Sequence, residues 1–389
     1  MRPQHLKDLV SCCDAGTDFL SALTGFTNTV MAGLCPSDVT PVFFGGRLIA
    51  LNKKSGGVRP IAVGVTLRRL ASKCANAYGA ARMVPLLGPR QLGVGIPGGC
   101  EAAIHSARRY LQSLPADHVL VKLDFTNAFN SLHRSDMLLS LHNHLPELYA
   151  FCCSSYSQPS FLFFGSHTIL SQEGPQQGDP LGPLLFCLTI HPLLTSLQSD
   201  LTLGYLDDLT LAGHQSTVST DVQRVLDMGG KMGLQLNPIK CEVISHPDAV
   251  ITYRYLRSFV SVCVADTTLL GASLFPGSQL DNAWADRCAE LTRAVDRLSL
   301  LNAQDALLLL RVSFSAPRVQ HLLRCSPSVD HPALASFDKS LRSEAGSPTR
   351  TFPISSGCRQ ACQFDKVVWA SDRCIRSHFL PFWPRRRAP

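Results

Sequence analysis

Long apolar runs are missing from this chain. No stretch of about eighteen consecutive apolar residues occurs, and the best candidate, Pro183 to Leu197, is short and interrupted by Thr189 and His191. A membrane-spanning helix is therefore not expected. The N-terminus, Met1-Arg2-Pro3-Gln4-His5, lacks an apolar signal core, which points to an intracellular protein. Its fifteen cysteines are scattered without a compact disulfide framework, so reduced thiols are the default. Acidic residues are scarce in one region above all. Between Pro41 and Tyr110 the sequence has eleven Lys or Arg and a single acid, Glu101, within an overall net charge of +7. Such a segment attracts a polyanion by counterion release, and the contact should weaken steeply with salt. The plain alternative is a solvated basic face without a partner. No internal repeat is found.

What the chain does have is enough apolar material, 45% of 389 residues, to bury a large core divided into two or three lobes. Residues 1–40 read as a short helical extension. Val42 to Ala50 and Val58 to Val65 read as two strands joined by Lys53-Lys54-Ser55-Gly56-Gly57, a hairpin with cations at its tip. Helical spacing follows from Leu67 to Met83 and from Glu101 to Ser113. The centre alternates: strand Val119 to Leu123, helix Ser131 to His144, strand Ser160 to Phe164, loop Ser171 to Pro180, helix Leu184 to Leu197, a hairpin, helix Thr217 to Met232 and strand Cys241 to Ser245. Beyond Gly271 the pattern turns mainly helical. Strands that carry carboxylates and are backed by helices make an α+β platform.

The hairpin carries the chemistry. Tyr205-Leu206-Asp207-Asp208 sits between Leu201-Thr202-Leu203 and Leu209-Thr210-Leu211, and Lys122-Leu123-Asp124-Phe125 lies 83 positions earlier at the end of another apolar strand. Two adjacent aspartates at a strand turn repel each other unless a hard divalent cation neutralises them. Three carboxylates with no His or Cys between them suit Mg²⁺, which takes oxygen donors and keeps several waters. Two such ions are what phosphoryl transfer by in-line displacement requires. Taken alone, Asp207-Asp208 also fits a polar turn, and Asp124 also fits a helix N-cap.

Five blocks in order resemble the reverse transcriptase of non-LTR (LINE-like) retrotransposons. They are Arg59-Pro60-Ile61, Lys122-Leu123-Asp124-Phe125 to Ala128-Phe129-Asn130, Gln177-Gly178-Asp179-Pro180-Leu181-Gly182-Pro183, Tyr205-Leu206-Asp207-Asp208, and Gly233-Leu234 to Asn237-Pro238-Ile239-Lys240, and the resemblance covers roughly residues 40–275. It implies an α+β right-hand polymerase. The expected parts are an extension at 1–40, fingers at 41–115, and a palm at 116–250 that lends about 145–180 to the fingers. A palm–thumb connection at 251–280 and a helical thumb-like region with a basic tail at 281–389 complete the expectation. The implied activity is RNA-directed DNA polymerisation, with two Mg²⁺ ions (Mn²⁺ as a substitute), an RNA template, a DNA primer or nicked target DNA, and dNTPs.

The resemblance also implies roles. Asp124, Asp207 and Asp208, with the carbonyl of Phe125, hold the metals. Lys53, Lys54 and Arg59 face the incoming triphosphate. Phe129 resembles the residue that excludes a 2′-hydroxyl, which disfavours an RNA polymerase of similar palm. Gln177 and Gly178 approach the nucleotide, and Lys240 resembles the residue that donates a proton to pyrophosphate. Two departures from the family pattern stand out: the loop reads Gly174-Pro175-Gln176-Gln177-Gly178, with proline one place early, and Leu206 replaces a common alanine. A rival is a catalytically silent nucleic-acid-binding remnant of a retroelement. Cys358, Cys362, Cys374 and His378 have spacing usable by zinc, although chance pairing explains it as well, and Arg385-Arg386-Arg387 reads as a weak nuclear address or nucleic-acid contact. Without an endonuclease or an RNase H motif set, the chain is expected to be a polymerase portion or a truncated element.

Overall fold

The computed structural model describes residues 2–52 and 56–345. The chain divides into two units: Met1–Ala103 with Arg109–Cys263, and Ile104–Arg108 with the chain from Val264 onward.

The first unit contains two sheets. Their strands are β1 (Gly46–Asn52), β2 (Val58–Val63), β3 (His118–Leu123), β4 (Ser160–Phe164), β5 (His167–Ser171), β6 (Leu201–Tyr205), β7 (Asp208–His214), β8 (Glu242–Ser245) and β9 (Val260–Val262). One sheet has the order β2-β1-β4-β5, the other β6-β7-β3-β8-β9. In the second sheet, Val119, Val121 and Leu123 alternate into the core together with Leu209, Leu211 and Val243. Leu123 lies opposite Leu209. With a side-chain period of two, Asp124 and Asp208, one step beyond that apolar pair, come out on the opposite face at the same end of the sheet.

Behind the core face runs the helix Gly182–Ser196. Eleven of its fifteen residues are buried, with solvent reached only near its end at Pro192 and Thr195, and it serves as the axis on which other helices pack. Those neighbours are Thr66–Leu87, Arg134–His144 and Gln215–Lys231. Its C-terminal carbonyls are not left bare: the Arg90 guanidinium donates to Leu194 O at 2.5 Å and Leu197 O at 3.1 Å. The loop that follows is organised by Asp221, a fully buried carboxylate. It accepts from Gln198 N (2.8 Å), Ser199 N (2.7 Å) and Ser199 Oγ (2.6 Å), and pairs with Arg224 at 2.7 Å.

One expected strand differs. The stretch from Val42 does not start as β structure: Thr40–Phe43 is a short helix with Pro41 in its first turn, and the strand begins at Gly46. Phe43 and Phe44, whose type suggests a strand, pack edge-on at 5.1 Å, and Phe44 is wholly buried against Phe151.

The second unit pairs the short strands Thr268–Leu269 and Ala272–Ser273 and is otherwise mainly helical: Ser278–Leu298, Ala303–Leu309, Ala316–Cys325 and Pro332–Ala345. Trp284 is the centre of its core, fully buried, with Nε1 donating to Ser328 Oγ at 3.2 Å and its ring stacked on His331. Among the described residues, no helix is long and apolar enough to cross a membrane.

Candidate active site

Tyr205 pairs with Asp208 across the β6–β7 hairpin, leaving Leu206-Asp207 as a two-residue turn. Leu206 has φ +57°, the left-handed value that such tight turns demand and that a leucine adopts only under constraint. Asp207 therefore stands at the tip, and Asp208 begins β7 beside the end of β3 and Asp124.

Electrostatics record this convergence. The Asp208 carboxyl is pushed up to about 6, by burial first, then by the charges of Asp207 and Asp124, with Lys122 and Arg59 pulling it down. Asp207 is also raised, by burial first and then by Asp124, against its own backbone hydrogen bond and Arg59. Asp124, remote in sequence, is thus felt by both aspartates of the turn, and the Arg59 guanidinium on β2 is near enough to be felt by the same two. Among the described residues neither Asp207 nor Asp208 is held in an ion pair. Lys122 is instead committed to Glu242 at 2.6 Å on the neighbouring strand.

This is the electrostatic condition that a divalent cation relieves, and the all-oxygen donor set fits a hard ion. Among the described residues no group of three or more His, Cys, Asp or Glu side chains forms a ready-made metal cage. A site that draws on two or three carboxylates, a backbone carbonyl, waters and a triphosphate does not need one.

Asp124 is fixed through its backbone. Asn237 N donates to Asp124 O at 2.8 Å and Thr126 N to Gln235 O at 2.8 Å, so Phe125 bridges Leu236 as a short antiparallel pairing. Behind it, Asp124 N donates to the buried Cys241 Sγ at 3.4 Å. The same stitching brings the Asn237–Lys240 turn to this end of the sheet, with Lys240 exposed. Phe129, half-buried on the short helix Ala128–Ser131, stacks on Phe186 of the central helix with ring centroids 4.6 Å apart and planes at 14°. That contact holds the ring in one orientation.

The loop from Ser171 to Pro180 is held by groups that sequence reasoning did not single out. Arg68, buried, donates to Phe44 O (2.5 Å) and Gln176 Oε1 (2.6 Å) and pairs with Asp179 at 3.2 Å. Tyr156 donates to the same Asp179 oxygen at 2.5 Å. Arg134 donates to Gly174 O, Ser171 O and Ser171 Oγ. Of the two glutamines, Gln176 is the buried structural one, and its Nε2 donates to Phe44 O and Ser160 Oγ. Gln177 is oriented differently: its backbone O accepts from Ala62 N of β2 at 2.7 Å, and its Oε1 is buried with no hydrogen-bond partner among the described residues. Gly178 must be glycine, because at φ +121° an added Cβ would lie 2.3 Å from Ala62 O. The early proline therefore leaves Gln177-Gly178 docked against the strand that bears Arg59.

Arg68 and Arg108 belong to the basic run, yet both are buried, so these two cations serve internal contacts and not a polyanion. Lys53 and Lys54 lie outside the described residues, as do Cys358, Cys362, Cys374, His378 and Arg385-Arg386-Arg387.

Comparison with known proteins follows the same lines. A curated relative, the retrotransposable element SLACS 132 kDa protein of Trypanosoma brucei gambiense, is 28% identical over 208 residues, which is 51% of this chain and 17% of that protein. The chain thus spans about a sixth of that relative's length. Among solved structures, apo telomerase from Candida tropicalis is 11% identical with a TM-score of 0.49, covering 84% of this chain and 68% of that one. Telomerase from Candida albicans with a fragment of telomeric RNA is 10% identical with a TM-score of 0.45, covering 90% and 64%. Both are distant likenesses. The family model described as reverse transcriptase (RNA-dependent DNA polymerase) matches residues 51–267, more than half of the chain and every segment that builds the site. The chain belongs to the reverse transcriptase family of nucleotidyltransferases, whose right-hand polymerase fold is consistent with the α+β build found here.

Proposed function

We propose that this chain is the polymerase portion of a non-LTR retrotransposon protein and that it extends a primer 3′-hydroxyl with dNTPs on an RNA template. The observation that carries this reading is the placement of Asp124 and Asp208 one step beyond the paired Leu123 and Leu209, at the same end of the β3–β7 sheet as Asp207, with the Asp124 charge raising both turn aspartates and Arg59 within their field. In this reading β1 and β2 belong to fingers, the β6-β7-β3-β8-β9 sheet is the palm, and the helices beyond 281 act as a thumb.

Asp124, Asp207, Asp208 and the carbonyl of Phe125 would hold two Mg²⁺ ions, which when bound lower the pKa of an attacking hydroxyl and neutralise the displaced oxygens. The remaining work falls to side chains. Arg59, with Lys53 or Lys54, sets positive charge against the leaving pyrophosphate. Phe129, backed by Phe186, blocks the space of a 2′-hydroxyl and so rejects ribonucleotides. Gln177 and Gly178, docked on β2 through the Gln177 carbonyl, approach the nucleotide, and Lys240, exposed on the Asn237–Lys240 turn, supplies a proton to pyrophosphate. RNA template, DNA primer or nicked target DNA, and dNTPs are the partners this chemistry calls for.

The test is incorporation of labelled deoxythymidine triphosphate on poly(A) primed with oligo(dT), in Mg²⁺, alongside Asp207→Ala. Template-dependent extension by the parent alone supports the proposal. Equal binding of the duplex by both proteins with no extension by either would replace it with a silent nucleic-acid binder.

A further inference from the structure

The turn that carries Asp207 and Asp208 rests in a cradle made by Arg90–Gly93. This segment runs along β6: Leu92 N donates to Gly204 O and Gly204 N to Arg90 O, both at 2.7 Å, with Gln91 bridging Gly204 in parallel. Arg90 ties the segment to the end of the central helix through Leu194 O and Leu197 O. Gln91 is wholly buried, and its amide meets Leu206 head-on. Its Oε1 accepts from Leu206 N at 2.9 Å and from Gly93 N at 3.1 Å, while its Nε2 donates to Leu206 O at 3.2 Å. Leu206 N–H needs an acceptor and its carbonyl needs a donor, which fixes the amide orientation.

Leu206 is the residue at φ +57°, a conformation that disfavours a side chain and relaxes unless its surroundings over-determine it. One buried amide takes both of its backbone groups. The cradle is also too close for a side chain at Gly93, where an added Cβ would lie 2.7 Å from Leu206 N.

The geometry points to Gln91 as a positioning residue for nucleotidyl transfer: by clamping Leu206 in the left-handed conformation it sets where Asp207 and Asp208 present their carboxylates. This role rests on the polymerase reading above. Gln91 touches no reacting atom and acts only through the turn.

The test compares Gln91→Met, which keeps length and removes all three hydrogen bonds, with the parent. The turnover rate for single-nucleotide incorporation, corrected for the folded fraction, should fall on the order of tenfold to a hundredfold, because the carboxylates move by a fraction of an ångström. Primer–template Kd and nucleotide KM should stay within about twofold, the split expected when reaction geometry is lost and binding is kept. Leu206→Gly adopts the turn without a clamp, so Gln91→Met should cost several-fold less in that background. Equal losses in both backgrounds would overturn the role. Should Gln91→Met fail to fold, Gly93→Ala presses a methyl group onto Leu206 while leaving the amide in place, and it should give the same turnover-specific loss; unchanged turnover would overturn the role. If the parent itself extends no primer, the polymerase reading fails, and hydrogen exchange at the Leu206 amide decides the clamp alone. Faster exchange in Gln91→Met supports it, and equal exchange refutes it.

Discussion

The two ends of the β6–β7 hairpin treat carboxylates in opposite ways. At the root, Asp221 is fully buried and supplied with three hydrogen-bond donors and an arginine. At the tip, Asp207 and Asp208 crowd toward Asp124 under no ion pair among the described residues, and Asp208 is pushed up to about 6. The root uses its charge to organise a loop. The tip keeps its charge only partly offset, by Arg59 and Lys122 at a distance, a destabilising arrangement of the kind expected where an external cation and a phosphate chain complete the site.

The largest break in this contrast should come from Asp207→Ala. Nucleotide incorporation should fall on the order of several hundredfold or more, because on the proposed function a metal ligand is gone. The melting temperature should hold or rise, since a repulsive half-buried charge is removed. Asp221→Ala should do the reverse: about 3 kcal/mol or more of stability lost in urea titration, as buried donors and Arg224 lose their acceptor. Turnover per folded molecule should survive within a few-fold.

Metal linkage gives a smaller effect with a definite sign. The folded-state pKa of Asp208, about 6, lies above the ordinary 3.8, so the folded protein binds the extra proton. The stability this contributes is present in full below about pH 4 and is lost as pH rises through about 6. Mg²⁺ should restore it only where the carboxyl is ionised. Thermal-shift measurements should therefore show stabilisation by Mg²⁺ at about pH 7.5 and little at about pH 5, and Asp208→Asn should reduce the difference. The smallest effect belongs to Arg224→Ala. Its guanidinium is a third exposed and leaves the three other donors on Asp221 intact, so the loss should be about 1 kcal/mol.

The sequence made much of this legible, and its failures have physical causes. Strand β4 runs from Ser160 to Phe164 as its aromatic run predicts, and β3 extends the expected Val119 to Leu123 by only one residue, His118. Local alternation was enough there. The strand β5 was not anticipated because His167–Ser171 gains its identity from pairing with β4 rather than from its own pattern. The carboxylate hairpin could be read because paired aspartates between apolar strands mark a turn, and the structure sets that turn at the same end of the sheet as Asp124. Gln91 could not: its partner Leu206 is 115 positions away, and a lone glutamine carries no local signal. Arg68 was misleading in another way, since a basic run reads as surface charge and only the fold reveals that this arginine is paired with Asp179 inside the protein.

The segments flanking the three aspartates are joined main chain to main chain: Asn237 to Asp124, Thr126 to Gln235, Leu92 to Gly204 and Gly204 to Arg90. Bonds of this kind are indifferent to which side chain each position bears. Apart from Gln91, Gly93 and Gly204, whose identities the turn requires, spelling can drift along those stretches over evolutionary time while the acids keep their places, so a copy whose flanking letters look eroded can still hold its three aspartates together.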